Sequence, residues 1–442
     1  MPRTLSPWKR RLFGFPKRID CPKMELIGRD HEGISIYGPG YIEILDNENM
    51  RFCIYGAADD LTETVKKIRR TTEHPYEALE QFRLIATDYS GIEWAGGYTV
   101  VRFFADVEGG FPLTGSLQGL SALDQSENVD PESSVELVFS PIPDLPMTTE
   151  RVTTVEMNGE VLGKSYSAGK QTLSVLGAEL EFEVDPADDA LYVRANTSKH
   201  LSHPYLENWL AEPLRILLGG PIYPRLIARN IKPNRAHIQL RVAPRGKLPS
   251  PVGLAARSKG MLYDPVLFWA AYKLILEAIA HGEGFEAHEL TSLYTEVSGA
   301  TLGSEWVLSM TLASTVEALG KRLMTDEDRR SSYKAEDLKD MNAYLKKWTG
   351  CTNIRDRLMS SLGMLKHRNA AVFIKGLSGQ EGITDAQLDT WKTVRNSVMH
   401  GELIEPWAQE ENERRLNELI DLVHALTWLV LKATVTEAGA PS

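Results

Sequence analysis

Arg395, Asn396 and His400 are the side chains in this sequence whose types and spacing best support a chemical reaction; they lie in WKTVRNSVMHGE, residues 391–402. Histidine suits proton transfer because its ordinary pKa lies near neutrality, and arginine suits phosphate because its planar guanidinium stays charged. Cleavage of RNA needs proton transfers at the 2′- and 5′-oxygens and positive charge on the phosphate. The three residues are therefore candidate catalytic residues of a ribonuclease; the alternative is an ordinary polar helix end.

The Arg-x₄-His spacing alone is weak, because the chain contains it twice. The other match is Arg69 with His74. The match at Arg395 differs because Asn396 follows the arginine directly, because it ends the penultimate predicted helix, and because a long apolar helix follows.

The geometry of a helix adds one requirement. Residues i and i+5 lie about 140° apart around an ideal helix, so Arg395 and His400 would not share a face. Gly401 can end the helix in a left-handed conformation and let His400 turn back into a groove. Asn396 can then hold either side chain by a hydrogen bond.

Glu317 is a further candidate site residue, in the stretch STVEALGKRL. An acid on an otherwise apolar helix stripe can orient Arg395 or His400 across a helical bundle. The alternative is an intrahelical ion pair with Lys321, one turn away.

The hydrophobic pattern divides the chain into a β-rich part and a helical part. Short alternating or β-branched stretches run to about residue 245, with a hairpin predicted at Asn158-Gly159 and one helix predicted over residues 204–220. From Asp264 the period changes to that of helices, with predicted N-caps at Asp264, Ser304 and Thr384 or Asp385 and a last helix over residues 411–433.

These patterns predict an α+β multidomain chain. We expect a basic N-terminal arm (1–24), a β-rich regulatory or sensor domain (25–245), a linker (246–263) and an all-α helical bundle (264–442). No apolar run approaches the roughly 20 residues of a membrane span, so no membrane contact is expected, and a cytoplasmic location is the simplest prediction.

The overall charge disfavours nucleic-acid binding, whereas the local charge near the candidate site favours it. A net charge of −11 is atypical of a general nucleic-acid binder. Residues 346–395, however, carry nine basic and four acidic residues, and this basic segment leads into the candidate site. The sequence predicts no metal and no cofactor. Its three cysteines are far apart, and the stretch NGEVLGKS is one residue too short for a P-loop. The spacing of His281 and His288 matches no zinc motif.

The RNSVMH motif, on the penultimate helix of a compact bundle before a long final helix, resembles the HEPN domain of RNases and defence proteins. That signature is an arginine, a polar residue, three variable residues and a histidine, here Arg395, Asn396 and His400. The resemblance covers roughly residues 264–442. A β-rich region before a C-terminal HEPN domain also resembles the ApeA-like anti-phage proteins, by architecture alone.

The resemblance implies a metal-independent endoribonuclease, a toxin-like or anti-phage effector acting in abortive infection. Because each chain has one credible motif and one histidine cannot easily be base and acid in the same step, we expect a homodimer through the helical domain with a composite site. The expected partners are RNA, with tRNA among the candidates, and a phage-derived or cellular trigger at the N-terminal domain.

The alternative hypothesis is a non-catalytic HEPN-type dimerisation or interaction protein. The presence of arginine, asparagine and histidine together favours the enzyme. The net charge of −7 over residues 261–442 favours the alternative, or RNA binding confined to one groove.

Overall fold

A computed structural model gives the fold of this protein. It describes residues 5–29, 35–103, 112–124, 134–157, 159–186, 189–202, 206–232, 235–242, 250–258, 260–281, 287–331, 333–365, 369–400 and 409–439. Within these residues an antiparallel sheet fills the N-terminal half and helices fill the C-terminal half, which confirms the predicted α+β class.

All sixteen strands in the described residues belong to one sheet, and every pairing in it is antiparallel. Its order is β11-β12-β13-β14-β10-β15-β16-β9-β6-β5-β1-β2-β3-β8-β7, and β4 pairs with β2. The strands are β1 (Lys17–Gly28), β2 (Ser35–Ile44), β3 (Met50–Tyr55), β4 (Ala57–Ala58), β5 (Phe82–Thr87), β6 (Glu93–Thr99), β7 (Val101–Phe103), β8 (Pro112–Leu117), β9 (Gly119–Asp124), β10 (Ser134–Phe139), β11 (Thr149–Met157), β12 (Glu160–Val175), β13 (Ala178–Asp185), β14 (Ala190–Asn196), β15 (Leu226–Lys232) and β16 (Arg235–Arg241).

The described residues also form twelve α-helices. They are α1 (Leu5–Leu12), α2 (Leu61–Glu73), α3 (Leu206–Trp209), α4 (Glu212–Leu218), α5 (Pro265–Ala280), α6 (Glu289–Ala300), α7 (Glu305–Leu323), α8 (Ala335–Lys347), α9 (Thr352–Met364), α10 (Ala370–Lys375), α11 (Asp385–His400) and α12 (Gln409–Gly439).

Local sequence signals confirm their predicted elements. Asp264 caps α5, since its side chain accepts hydrogen bonds from the amides of Val266 and Leu267. Ser304 caps α7 in the same way, and the hydroxyl of Thr384 accepts from the amide of Gln387 at the start of α11. α3 and α4 lie where a helix was predicted inside the β-rich region, and β11 and β12 form the predicted hairpin, although Asn158 itself lies outside the described residues.

The predicted N-terminal arm differs from the structure, because β1 begins at Lys17 and α1 packs into the core of the sheet. Trp8 is buried and its ring meets that of Trp94 edge to face, with 5.7 Å between ring centroids. The guanidinium of Arg11 pairs with the buried carboxylate of Asp88. The basic charge of this segment predicts an arm. It is instead an amphipathic helix, and strands distant in sequence cover its apolar side.

We expect Trp8→Ala to lower the free energy of unfolding by about 3 kcal/mol or more, because it leaves a cavity against Trp94. Urea denaturation followed by far-ultraviolet circular dichroism measures the loss. Tyr76→Ala is the control, since Tyr76 is 98% exposed and should leave the midpoint unchanged. A loss below about 1 kcal/mol for Trp8→Ala would show that α1 does not belong to the folded core.

The predicted linker also differs from the structure, because residues 252–255 within it are buried. Val252, Leu254 and Ala255 lie in the same hydrophobic core as residues of α5 to α7 and α10 to α12. Residues 243–249 lie outside the described residues. A segment that fills a core cannot act as a flexible spacer between independent units.

Three central strands join the sheet to the helices, since β10, β14 and β15 are buried on both faces. Along β15, Ile227 faces the core that contains the helices, while Leu226 and Ala228 face the core that contains α1. Successive side chains of a strand point to opposite faces, so one strand serves both cores. The β-rich and helical parts therefore share packing across the predicted boundary.

Aromatic residues of α5 fasten the bundle to the sheet. Phe182 of β13 lies between Trp269 and Tyr272, with ring centroids 4.6 Å and 5.3 Å away. Both α5 residues also donate hydrogen bonds to backbone carbonyls of the β-rich part, Trp269 to Pro146 at 2.7 Å and Tyr272 to Leu210 at 2.7 Å.

α12 is long and apolar enough, by length and composition, to cross a membrane. In this fold it packs instead against α7, α11 and α5. Leu419, Leu422 and Leu426 are fully buried in the bundle. Burial of this kind is typical of the central helix of a bundle, which passes the same composition test.

Candidate functional site

α11 is held against α7 by a buried tryptophan one turn before the candidate arginine. Trp391 is 3% exposed, and its indole nitrogen donates a hydrogen bond of 3.1 Å to the carbonyl oxygen of Ala313. A buried indole N–H needs such a partner, and this one fixes the rotation of α11 about its axis. On the other side, the hydroxyl of Thr390 donates to the carboxylate of Glu418 on α12.

Arg395 lies one turn after Trp391 and meets α7 one turn after Ala313. Its Nε donates a hydrogen bond of 3.0 Å to Oε2 of Glu317. Lys321 contacts the other carboxylate oxygen, with 3.0 Å between its Nζ and Oε1. The two alternatives for Glu317 therefore hold together: it pairs within its own helix and also orients Arg395 across the bundle.

The Glu317 carboxylate is charged under this arrangement. Partial burial raises its pKa, but the hydrogen bonds from Arg395 and Lys321 lower it by more, so the pKa lies below the ordinary value. Arg395 and Glu317 each keep 26% of their side-chain surface exposed. The pair is thus fixed in direction and still reachable from solvent.

We expect Glu317→Gln to cost about 1 kcal/mol of unfolding free energy at pH 7, since a partly exposed ion pair is lost. The depressed pKa of Glu317 means that this contribution is present above its ordinary value of 4.5 and is lost as the pH falls through the folded-state pKa. The difference between wild type and variant should therefore shrink below that pH. Chemical denaturation at several pH values measures it.

Glu296→Gln is the matched control, since Glu296 is exposed on the neighbouring helix α6. We expect no comparable difference for that variant. A Glu317→Gln difference that stayed constant from pH 7 to pH 3 would contradict the ion-pair assignment.

The other two candidate residues lie further along α11. Asn396 is exposed. α11 remains helical through its last residue, His400. The structure describes the backbone of His400. The proposed left-handed Gly401, and the apolar residues Leu403, Ile404 and Trp407 after it, lie outside the described residues.

A cavity of about 540 Å³ opens beside Arg395 and Asn396, between α10 and α11. Lys375 and Lys392 also line it, so four of its lining residues carry donors suited to phosphate. Two carboxylates, Asp385 and Asp389, line it as well. α10 approaches α7 closely because Gly320 has no side chain: a Cβ there would lie 2.4 Å from Ile374.

A second cavity, of about 920 Å³, is lined by Glu317 itself. Lys321, Arg322 and Arg329 line it together with His288. Each of the two cavities carries three lysine or arginine residues and two carboxylates, and Glu317 is one of the carboxylates of the larger cavity. The basic character that the sequence placed near residues 346–395 is continued by α7.

Three parts of the site were not predicted from the sequence: Trp391, the carbonyl of Ala313 on α7, and the contribution of α10. The position of Trp391, four residues before Arg395, was a usable signal because residues i and i+4 share a helix face. Nothing in the sequence indicated that Ala313 would supply the carbonyl that receives its indole.

Three other sequence features have structural explanations. His288 caps α6, where its Nδ1 accepts from the amide of Leu290. Burial and the nearby Arg322 lower the pKa of His288 to about 4, so it stays neutral. Lys164 of the P-loop-like stretch lies inside strand β12 and not at a helix start.

The second Arg-x₄-His match is an ordinary helix end. Arg69 pairs with Glu73 on its own helix at 2.8 Å, and the side chains of Arg69 and His74 are 79% and 55% exposed. Only the match at Arg395 has a partner on a different helix among the described residues. The same residues contain no group of three metal-ligating side chains.

Comparisons with known proteins give no match for this chain. No family model matches the chain, and neither a curated protein nor a solved structure is similar to it.

Proposed function

We propose that this protein is a metal-independent endoribonuclease of the HEPN type. The observation that carries the proposal is the Arg395–Glu317 pair: a partly exposed guanidinium is fixed across two helices, on the helix that ends at His400. Asn396 is exposed beside it, and the adjoining cavity is lined by Lys375 and Lys392 as well as by Asp385 and Asp389.

The proposed reaction is an internal transesterification. A histidine accepts the proton of the 2′-hydroxyl, the 2′-oxygen forms a bond to phosphorus, and the bond to the 5′-oxygen breaks. The leaving 5′-oxygen takes up a proton from the second histidine. The products are a 2′,3′-cyclic phosphate and a 5′-hydroxyl, and the charge on the pentavalent phosphate is stabilised by Arg395.

The proposal assigns Glu317 a positioning role. Its carboxylate limits the rotation of the Arg395 guanidinium and leaves the Nη atoms to face a phosphate. Preorganised donors stabilise developing charge better than mobile ones, because they need no reorganisation during the reaction.

Two chains supply the two histidines in this proposal, because each chain has one such motif. A homodimer through the helical domain gives a composite site on the two-fold axis. The β-rich part would hold the activating trigger, of phage or cellular origin, in a cytoplasmic defence effector that cuts RNA such as tRNA.

Incubation of the purified protein with total RNA in excess EDTA tests the reaction class. We expect cleavage to persist and the new ends to carry 2′,3′-cyclic phosphate, since the proposed groups need no metal. Cleavage that stops on chelation and returns with Mg²⁺ would contradict the proposal.

A non-catalytic dimerisation or interaction protein is the second candidate. The observation that favours it is the same ion pair, because an arginine held by a carboxylate is also what a purely structural bundle contains. Absence of cleavage on RNA, with or without metal, combined with a stable dimer in solution would support this second function.

A further inference from the structure

A cavity of about 770 Å³ lies where the sheet meets α3 and α4, in a different part of the molecule from Arg395. Strands β6, β9 and β16 form one side of it, and Arg215 and Tyr223 form the other. Its size falls in the range of roughly 300–1,000 Å³ that is typical of sites for small ligands.

Arg215 is the residue that makes this cavity unusual. It is 6% exposed, yet it lines the cavity. Its Nε donates to the carbonyl of Ile222 at 2.8 Å, and its guanidinium carbon lies over the ring of Tyr223, 3.7 Å from the ring centroid. These two contacts fix the guanidinium plane and leave its Nη edge to serve another group.

The cavity carries positive charge without a lining carboxylate. Arg241 also lines it, held by the side-chain oxygens of Asn208 and Gln239 at 3.1 Å each. None of the described residues that line the cavity is aspartate or glutamate. Arg215 forms no ion pair within the part of the chain that the structure describes.

The acid closest in sequence to Arg215 is already engaged elsewhere. One oxygen of Glu212 accepts hydrogen bonds from the amide of His288, at 2.9 Å, and from the hydroxyl of Thr291. Burial and the charge of Arg241 lower the pKa of Arg215, and Glu212 and Tyr223 offset this only in part. A buried cation such as Arg215, with the positive charge of Arg241 nearby, is stabilised most directly by an anion.

We propose that this cavity binds a nucleotide, with its phosphate held by Arg215 and Arg241. Planar, fixed guanidinium groups match phosphate oxygens in pairs, which is a reason to prefer phosphate to a simple halide. Gln118, Ser121 and Gln239 add amide and hydroxyl groups suited to base and sugar edges, and Tyr98 adds an exposed ring. The cavity volume exceeds what a bare phosphate needs.

The test is titration calorimetry of the full-length protein with AMP, GMP, CMP, UMP, their triphosphates, adenosine and inorganic phosphate. We expect one nucleotide to bind per chain, and to bind more tightly than adenosine or phosphate alone. Arg215→Gln and Arg241→Gln should each weaken that binding about tenfold or more, because each removes a charge-assisted hydrogen bond.

Arg18→Gln is the matched control. Arg18 also lies over a tyrosine ring, that of Tyr41, at 3.7 Å, but it is half exposed and does not line this cavity. Its loss should leave nucleotide binding unchanged.

A second measurement needs no variant and so does not depend on their folding. Hydrogen exchange of the wild-type protein should slow on nucleotide addition at residues 119–121 and 239–242, which line or adjoin the cavity. The inference fails if no nucleotide binds at millimolar concentration, or if binding occurs without protecting these segments. Because the readout is binding, its failure is separate from a failure of the proposed ribonuclease activity.

Discussion

Arg395→Ala and His400→Ala are each expected to reduce RNA cleavage by about 100-fold or more. The arginine variant removes the fixed positive charge that would stabilise the phosphate. The histidine variant removes the group that would transfer the proton. Initial rates on a defined RNA in EDTA measure both effects.

The chain provides its own control for this comparison. Arg69 and His74 have the same spacing at the end of α2, where both side chains are largely exposed. Arg69→Ala and His74→Ala should leave cleavage unchanged. Full activity in both Arg395→Ala and His400→Ala would contradict the proposed site.

Stability should separate the chemical effect from unfolding. Arg395 keeps a quarter of its side chain exposed, so its removal costs about 1 kcal/mol of unfolding free energy, far less than its expected effect on the rate. Trp391, which anchors the same helix, is the residue whose loss would unfold the region.

Mixing wild-type chains with an inactive partner should show whether two chains build one site. The partner carries both Arg395→Ala and His400→Ala, and the mixture is allowed to exchange subunits fully. With a ninefold excess of this partner, random pairing leaves about one tenth of the activity per wild-type chain if the composite site needs both motifs.

Independent sites predict a different result, because each wild-type chain would then keep its full activity in a mixed dimer. The control is wild-type protein at the same total concentration with Arg69→Ala/His74→Ala chains in excess, in which every dimer retains a complete site. A stable monomer that cleaves RNA at the wild-type rate would rule out the composite site.

The sequence by itself determined the features that depend on neighbours along the chain. Asp264, Ser304 and Thr384 mark helix starts because a cap satisfies amides two or three residues away. The hairpin at Asn158-Gly159 follows from a two-residue turn. The spacing of apolar residues changes from a period of two to a helical period near Asp264. This change predicts the α+β class, because it also depends only on neighbours along the chain.

Only the tertiary structure decided which surfaces are covered. The basic segment before residue 17 became a buried helix because Trp94 and Asp88, more than 70 residues away, receive Trp8 and Arg11. The predicted linker became part of a core because the amides of Leu254 and Ala255 bond to carbonyls of Ile216 and Leu217 in α4. Composition cannot report such burial, since the partners are distant in sequence.

The candidate site shows the same division. The motif at Arg395 and the possible roles of Glu317 were readable from residue types and spacing. That Glu317 serves Lys321 and Arg395 at once depends on the rotation of α11, which Trp391 and Ala313 fix. The cavity at Arg215 has no local signal, because helix α4 carries Arg215 and strand β16 carries Arg241. Only the packing of that helix against the sheet decides that the two charges become neighbours.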